Sequence, residues 1–331
     1  MKWVACWLGL AMAVPAFGTQ IPIHDPSLIV SEGRFYLFGT GRGIVVWSSP
    51  DHEHWTREAP VFSASPEWTH AVVPKFDGHY WAPDINHVGD RFYLYYAVSA
   101  FGRNTSAIGL ATNETLDPHS PRFKWVDEGK VVQSIPGRTN WNAIDPNLAF
   151  DGQTPYLAFG SFWSGLKLTR LQSDLRTPAS PLTQFVDLAS RLAVGPVNPP
   201  APAGEPVDAG GNAIEAPFIF RRAGRFYLFA SIDYCCRGPR STYKIIVGRA
   251  EQIAGPYVGR SGIDLRSGGG TVLQGRSSRW YGVGHNCVVS WGGADYVVAH
   301  GYDVRDGGRS KLLIEAIHWT ADGWPEIRPE E

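Results

Sequence analysis

The chain has 331 residues, of which 44% are hydrophobic and 18% are charged, and its formal net charge is −1. This composition supports a large buried core and excludes a disordered chain, and the absence of a basic stripe argues against a nucleic-acid partner. The 37 glycines, 25 prolines and 13 tryptophans are typical of many short strands joined by turns, with aromatic side chains left for stacking.

The first segment of the chain predicts a cleaved export signal. A lysine at position 2 precedes a short apolar run, and small residues follow this run up to a cleavage site after Gly18. The run is too short to span a bilayer comfortably, and no later segment is apolar and long enough to do so. We therefore expect residues 1–18 to be a signal peptide and residues 19–331 to form one secreted or periplasmic domain without a membrane partner.

Five copies of one pattern follow along the chain, each with a polar residue, a short apolar run, a Gly or Asp turn and an aromatic-rich run. In chain order they contain the sequences IHDPS, WAPDI, NAIDP, NAIEAP and VGHNC, with the polar residues Asp25, Asp84, Asp145, Glu215 and His285. The second strand of each copy is predicted to begin near Phe35, Phe92, Tyr156, Phe226 and Tyr296.

Further strand-like runs follow each of these five hairpins, among them LKLTRL, TYKIIVGRA and KLLIEAIHW. A recurring unit of about four strands is typical of a propeller blade, so the sequence predicts an all-β fold, a five-bladed β-propeller. The alternative is a β-sandwich with chance similarity between hairpins. Five hairpins that carry a polar residue at one fixed place argue against that alternative.

The propeller predicts where the five polar residues lie. The first strand of a blade lines the central channel, so a residue at its start lies at one mouth of that channel. The second strand returns to the same mouth, and its end brings aromatic residues there: Phe101, Phe162, Trp163 and Tyr234. One face of the molecule should thus combine carboxylates, a histidine and aromatic rings, as a small-molecule site requires.

Carboxylates flanked by aromatic residues suit the hydrolysis of glycosides. One acid protonates the leaving oxygen and one base activates water, while aromatic rings stack on the apolar faces of sugars. A single Asp-Pro is an ordinary turn signal. Three acid-Pro or acid-x-Pro motifs at equivalent blade positions together indicate a catalytic site.

Several motifs carry a resemblance to a known family over residues 23 to about 327: IHDPS, FDGHYWAPDI, NWNAIDP, FGSFWSGLKL, NAIEAPFI, YCCRG and GHN. The chain resembles glycoside hydrolase family 43, and within it the secreted arabinanases that cleave α-1,5-linked L-arabinofuranosyl chains. The resemblance implies a five-bladed propeller, an inverting mechanism, and arabinan and arabino-oligosaccharides as substrates. The predicted enzyme is an arabinan endo-1,5-α-L-arabinosidase, although the sequence itself does not distinguish endo from exo action, and we expect a monomer without an organic cofactor.

The resemblance also implies roles for individual residues. Asp25 would be the general base, Glu215 the general acid, and Asp145 the residue that orients Glu215 and tunes its pKa. His285 matches the position of a metal, often calcium. Calcium prefers oxygen ligands, so water would have to complete its shell, and the alternative is a metal-free histidine hydrogen-bonded to a carboxylate. The predicted substrate-binding residues are His24, Trp81, Asp84, Phe101, Gly102, Asn142, Ser161, Phe162 and Trp163.

Three other functions compete with this interpretation. An exo-acting α-L-arabinofuranosidase or β-xylosidase would use the same scaffold. A retaining fructan-processing propeller would have its two carboxylates only about 5–5.5 Å apart. A catalytically dead sugar-binding propeller would not need three acids.

The four cysteines do not form a disulfide framework. Cleavage after Gly18 would remove Cys6 and leave Cys235, Cys236 and Cys287, an odd number. Adjacent cysteines can form only a strained bridge, because their Cα atoms lie about 3.8 Å apart. We therefore interpret the three as small packed thiols.

Overall fold

A computed structural model describes residues 17–18, 21–181, 184–192 and 211–328 of the chain. Five antiparallel sheets of at least four strands form a ring, which confirms the predicted all-β, five-bladed β-propeller. Apart from its last two residues, the predicted signal peptide lies outside the described residues. Its cleavage and the domain boundary at residue 19 stay predictions.

The strands are numbered in chain order. β1 (Phe17–Gly18) pairs with the last blade. Blade I consists of β2 (Ser27–Ser31), β3 (Arg34–Gly39), β5 (Val45–Ser49) and β6 (Thr56–Arg57), and β4 (Gly41–Arg42) leaves it to pair with blade II. A short helix, α1 (Glu67–Val72), follows. Blade II consists of β7 (His79–Val88), β8 (Arg91–Val98), β9 (Ser106–Asn113) and β10 (Val126–Ser134).

The remaining blades follow the same order. Blade III consists of β11 (Asn147–Asp151), β12 (Thr154–Phe159), β13 (Leu166–Arg170) and β14 (Val186–Ala189). Blade IV consists of β15 (Ile214–Arg222), β16 (Arg225–Ile232), β17 (Lys244–Ala250) and β18 (Thr271–Gln274). Blade V consists of β19 (Trp280–Trp291), β20 (Ala294–Asp303), β21 (Arg309–Ala316) and β1. A small hairpin, β22 (His318–Trp319) and β23 (Pro325–Glu326), ends the described chain. The second strands begin within two residues of their predicted starts.

Short 3-10 helices lie between strands at Gly238–Arg240, Leu265–Ser267 and Val304–Asp306. Within the described ranges, no helix has the length and apolar character needed to cross a membrane.

The apolar core lies between neighbouring blades. Both faces of an inner strand are covered, so β9 is buried along its whole length and its sequence lacks strict alternation. Between blades V and I, for example, Leu28 and Leu37 pack in one cluster with Val298 and Leu312. Burial of such side chains stabilises the ring by roughly 1.5–3 kcal/mol each.

Each blade has one non-glycine residue with positive φ in its first strand or two residues before it, which we call its left-handed position. These residues are Asp25 (52°), Ala82 (42°), Asp145 (56°), Ala216 (55°) and His285 (50°). Such values are uncommon for residues other than glycine and mark strained backbone. Two residues later the ladder with the second strand resumes, at Ser27, Asp84, Asn147, Phe218 and Cys287.

This register corrects one prediction from the sequence. Asp25, Asp145 and His285 occupy the left-handed position, as the hairpin pattern suggested. Asp84 lies two residues further into its strand, and Glu215 lies one residue before Ala216. The prediction that all five polar residues share one position was therefore wrong. The pattern shared by the five hairpin sequences did not reveal the irregular strand register between Trp81 and Asp84 and between Glu215 and Phe218.

The residues where the ladder resumes also join neighbouring blades. Four of them accept a hydrogen bond from the backbone of the next blade, from Ile85 to Ser27 (3.1 Å), Leu148 to Asp84 (2.8 Å), Ile219 to Asn147 (2.8 Å) and Leu28 to the Cys287 sulfur (3.4 Å). The fifth, Phe218, has no acceptor in its side chain and packs against apolar residues of blade V. These contacts join neighbouring blades two residues beyond the left-handed positions.

Candidate active site

Asp25 lies in a polar pocket between blades I and V. Its Oδ2 accepts a hydrogen bond of 2.5 Å from the Thr40 hydroxyl, and its Oδ1 lies 3.2 Å from Nδ1 of His285. Its backbone N–H donates to Nδ1 of His300, 3.1 Å away. Thr40 and His300 stand at equivalent places on the second strands of blades I and V, so the returning strands hold the left-handed residue from both sides.

The surroundings of Asp25 keep it ionised. Burial alone would raise its pKa, but His285, His300 and His24, together with the Thr40 hydroxyl, lower the pKa to about 2. Burial lowers the pKa of His300 well below its usual value, and burial likewise lowers the pKa of His24. Asp25 is therefore ionised near neutral pH, as a group that accepts a proton must be.

Glu215 is held at the start of β15 by two hydroxyl groups. The Tyr243 hydroxyl donates to Oε1 at 2.6 Å, and the Ser161 hydroxyl lies 2.8 Å from Oε2. Burial raises the pKa of Glu215, although both hydroxyls act in the opposite direction. Burial also raises the pKa of Tyr243 well above its usual value, so its hydroxyl keeps its proton.

Asp145 lies next to Glu215, on blade III. It is buried, and its Oδ2 accepts a hydrogen bond of 3.0 Å from the backbone N–H of Ala216, the residue after Glu215. Burial, followed by the charges of Glu215 and Asp25, raises the pKa of Asp145 well above its usual value. Because this repulsion is mutual, Asp145 and Glu215 lose their protons as a coupled pair.

The structure distributes the predicted substrate-binding residues over several places. His24 and Trp81 immediately precede left-handed positions and are half-buried. Phe101 is 83% exposed and, like Gly102, lies on the loop after β8. Asn142 is buried, and its Oδ1 has no partner among the described residues.

The segment 161–163 is bound to the strand that carries Glu215. Ser161 forms a bridge with Glu215, and the Phe162 N–H donates to the Ile214 carbonyl at 2.8 Å. Phe162 and Trp163 both have positive φ, 52° and 38°, a strain that clusters at functional sites. Nε1 of the half-buried Trp163 has no partner within the described part of the chain.

Asp84 differs from the other predicted site residues. It is 4% exposed and lies between blades II and III, where it accepts hydrogen bonds from the Leu148 N–H (2.8 Å) and the Asn86 amide (2.7 Å). Burial raises its pKa to about 6. These contacts join blades, and sugar binding by Asp84 stays a prediction that its position does not support.

Several residues of this site were missed in the sequence, namely Thr40, Tyr243, His300 and Tyr302. A signal for Tyr243 was nonetheless present in the segment YGVGHN. Glycine inside a strand often marks the close approach of another group. A Cβ at Gly284 would lie 2.1 Å from the Tyr243 ring, and one at Gly282 would lie 2.8 Å from its backbone nitrogen.

The predicted calcium site was compared with the side chains present. His24, Asp25 and His300 bring one ligand atom each within 4.8 Å of one another. Calcium takes six to eight oxygen ligands, whereas this set offers two imidazole nitrogens and one carboxylate. His300 Nδ1 and Asp25 Oδ2 already accept hydrogen bonds. This set of three side chains does not fit calcium. An ion at His285 would take most of its ligands from water, and a calcium site there stays a prediction.

Comparison with known proteins places this arrangement in a family. The family model described as "Glycosyl hydrolases family 43" matches residues 19–325. The chain belongs to glycosyl hydrolase family 43. This confirms the family that the motifs around the three acids predicted. Asp25, Asp145 and Glu215 are therefore acids of a glycosyl hydrolase, and their individual roles stay predictions.

Two curated family 43 relatives differ in their named mode of action. The extracellular exo-α-(1→5)-L-arabinofuranosidase of Cellvibrio japonicus is 43% identical over 332 residues, which cover 100% of this chain and 93% of that protein. The extracellular endo-α-(1→5)-L-arabinanase 1 of Bacillus subtilis is 40% identical over 92% of this chain and 87% of that protein.

A solved structure of a family 43 enzyme has the same architecture. The Cellvibrio cellulosa α-L-arabinanase in complex with arabinohexaose superimposes with a TM-score of 0.87 at 44% identity. The match covers 94% of this chain and 96% of the other.

Proposed function

We propose that this protein hydrolyses α-(1→5)-linked L-arabinan and arabino-oligosaccharides with inversion of configuration. The observation that carries the proposal is the convergence of three acids from blades I, III and IV. Asp25 and Glu215 each alter the pKa of Asp145 through their charge, and Asp145 also binds the backbone next to Glu215. The names of the two curated relatives and of the arabinohexaose complex support arabinan as the substrate.

The proposed mechanism divides the work between two carboxyl groups. Glu215, with its raised pKa, protonates the glycosidic oxygen as the bond breaks. Asp25, with its lowered pKa, takes a proton from the water that attacks the anomeric carbon from the opposite face. Asp145 keeps the backbone of Ala216 in place and repels a negative charge on Glu215.

Substrate binding is proposed for the aromatic and polar residues near this pair. Trp163 and Asn142 each carry a polar atom without a partner among the described residues, and sugar hydroxyls can bind such atoms. Trp81 and Phe162 offer rings for stacking, whereas the exposed Phe101 would contact sugar units further out.

The relatives do not decide between endo and exo action, because one of each is similar to nearly the whole chain. Endo action is the prediction from the sequence, and exo action is the second candidate, supported by the Cellvibrio japonicus relative. Early products of linear arabinan separate them. A ladder of oligosaccharides indicates endo action, and one short product released from the start indicates exo action.

The central experiment measures reducing sugar released from linear arabinan, xylan and levan. We expect activity on arabinan alone, and Asp25→Ala and Glu215→Ala should each reduce kcat by about 10²–10⁴-fold with an unchanged circular dichroism spectrum. NMR of the first product should show the inverted anomer. Release from levan, a retained anomer or full activity of either variant would contradict the proposal, and no turnover at all would indicate a sugar-binding propeller.

Export of the protein is part of the proposal, because both curated relatives are named extracellular. The monomeric state stays a prediction.

A further inference from the structure

The adjacent cysteines Cys235 and Cys236 lie in a turn at the channel mouth that also holds Glu215 and Asp25. Their sulfur atoms are 2.6 Å apart. The turn follows β16, and its Tyr234 ring lies 6.0 Å from the ring of Phe162 in the strained segment beside Glu215. We propose that Cys235 and Cys236 form a vicinal disulfide that holds this wall of the active site in its working position.

The backbone of the turn places the two sulfur atoms together. Cys236 has a φ of 62°, a conformation that residues other than glycine rarely adopt. The surrounding chain maintains it, because the Arg237 N–H donates to the Ser241 hydroxyl at 3.1 Å and the Thr242 N–H donates to the Tyr234 carbonyl at 3.0 Å. These bonds hold the backbone of the turn in the conformation in which the two sulfur atoms meet.

The third described cysteine does not compete for this bond. The Cys287 sulfur is buried between blades V and I, where it accepts the hydrogen bond from Leu28. The odd number of cysteines in the predicted mature chain thus resolves into one packed thiol and one pair. This replaces our interpretation of Cys235 and Cys236 as packed thiols.

The electrostatics of the mouth disfavour a thiolate. The contact with Cys236 and burial raise the pKa of the Cys235 thiol well above its usual value, and the charges of Glu215 and Asp25 act in the same direction. A thiolate here would face two catalytic carboxylates. A disulfide carries no charge and leaves the pKa values of those carboxylates undisturbed.

A chain of contacts connects the pair to the general base. The Cys236 N–H donates to the Tyr302 hydroxyl at 2.7 Å, and this hydroxyl lies 3.3 Å from Nε2 of His300. His300 in turn accepts the hydrogen bond from the N–H of Asp25 through Nδ1. Opening the bridge removes one restraint on Cys236, whose N–H forms the first link of this chain, and should therefore loosen that link.

The bond forms by oxidation of both thiols. Each thiol loses its hydrogen, a sulfur–sulfur bond joins the two residues, and two electrons and two protons pass to an external disulfide oxidant, which is reduced to two thiols. Oxidants of this class are present in the extracellular and periplasmic compartments, where disulfides persist.

Peptide mapping tests the bond directly. The exported protein is denatured with N-ethylmaleimide, without reductant, and digested with trypsin. We expect the peptide 226–237 to carry no label and to be lighter by two hydrogen atoms than its dithiol form. It should take two labels after reduction, while the control peptide 280–305, with Cys287, takes one label in both cases. Two labels on peptide 226–237 without reduction would overturn the proposal.

Kinetics test the effect of the bond on the site. Reduction of the native enzyme should lower kcat/KM on arabino-oligosaccharides by about fivefold, the size of one lost hydrogen bond. The double variant C235S/C236S should show the lower value with or without reductant, and Cys287→Ser should remain sensitive to reductant. A wild-type kcat/KM that reduction does not change would overturn the coupling to Asp25. An enzyme inactive on arabinan but with a mapped bridge would sink the proposed function alone.

Discussion

Glu215 accepts hydrogen bonds that favour its ionised form, although a general acid must carry a proton. The hydroxyls of Tyr243 and Ser161 can each donate or accept a hydrogen bond, so either can accept one once Glu215 carries a proton. Burial and the coupling to Asp145 must together outweigh the Tyr243 hydrogen bond.

Removal of that hydrogen bond should move the pH profile upward. Tyr243→Phe deletes a donor that stabilises ionised Glu215, so the pKa of Glu215 should rise. Activity requires the protonated form, and the alkaline limb of kcat should move to higher pH while kcat falls because Glu215 is less well oriented. The control is Tyr257→Phe, which removes a buried hydroxyl bonded to Ile253 and should leave the limb in place. A limb that shifts equally in both variants would contradict the assignment.

The opposite shift is expected at Asp145. Asp145→Asn removes a neighbouring negative charge with little change of shape, and the pKa of Glu215 should therefore fall. The alkaline limb should move to lower pH and kcat should decrease, most for substrates whose leaving group needs the proton. The pH dependence of kcat on arabino-oligosaccharides measures this shift. An unchanged profile would mean that burial alone raises the pKa of Glu215.

The sequence was informative where one short motif carried the chemistry. Asp25 and Asp145 directly precede a proline of a repeated hairpin and Glu215 lies two residues before one, so the pattern and the family resemblance revealed them together. Thr40 directly follows β3 and Tyr243 directly precedes β17, and each contacts a carboxylate of its own blade. These contacts depend on how the strands of a blade come together, which a single sequence does not encode in any local pattern.

At the scale of the strands, Asp84 shows how a buried polar residue can join two blades of the ring. The prediction from the sequence placed it at the channel mouth because it is the polar residue of the second copy of the hairpin pattern. The strand actually continues through this segment, with its irregular register two residues earlier. A register shift of this kind has no clear signature in composition, and alternation alone cannot reveal it.

The buried Asp84 should make stability depend on pH. Its folded pKa of about 6 lies above its ordinary value of 3.8, so its stabilising contribution is complete below pH 3.8 and is lost as pH rises through 6. The loss amounts to about 3 kcal/mol. Asp84→Asn cannot titrate and should therefore lose less free energy of unfolding between pH 4 and pH 7.5 than the wild type.

Urea unfolding at the two pH values measures this difference. All other titrating groups are shared by the two proteins, so the difference between variant and wild type isolates Asp84. A difference that is the same at both pH values would show that Asp84 is ionised throughout and acts only through its hydrogen bonds.

At the scale of the whole molecule, the ring closes between blades V and I. β1 contributes only two residue pairs to β21. The larger contact is apolar, with Ile23 and Leu28 packed against Val298 and Leu312. The Leu312 N–H also donates to the Ile21 carbonyl at 3.0 Å. Among the described residues, those after position 20 therefore make most of the contacts that close the ring.

A form lacking residues 1–18 should consequently keep a closed ring. We expect its Tm to lie within about 2 °C of that of the full chain, equivalent to about 1 kcal/mol or less for a protein of this size. Leu312→Ala is the matched disruption of the same seam and should cost about 2–5 kcal/mol, because it opens a cavity in a fully buried site. Thermal unfolding of the three proteins provides the comparison. A large loss in the shortened form would mean that β1 is required for closure.

The five left-handed positions have a consequence for how such an enzyme can change. Backbone pairing fixes the kink in each blade, and the side chain there is free to vary, since Asp, Ala and His all occur at this place. The backbone conformation at this position thus does not depend on whether the side chain is reactive. Duplication of one hairpin would place several copies of this position around a single opening. Substitutions could then introduce a reactive side chain at one copy at a time. Ala82 and Ala216 are two such points without a reactive group, and both are buried.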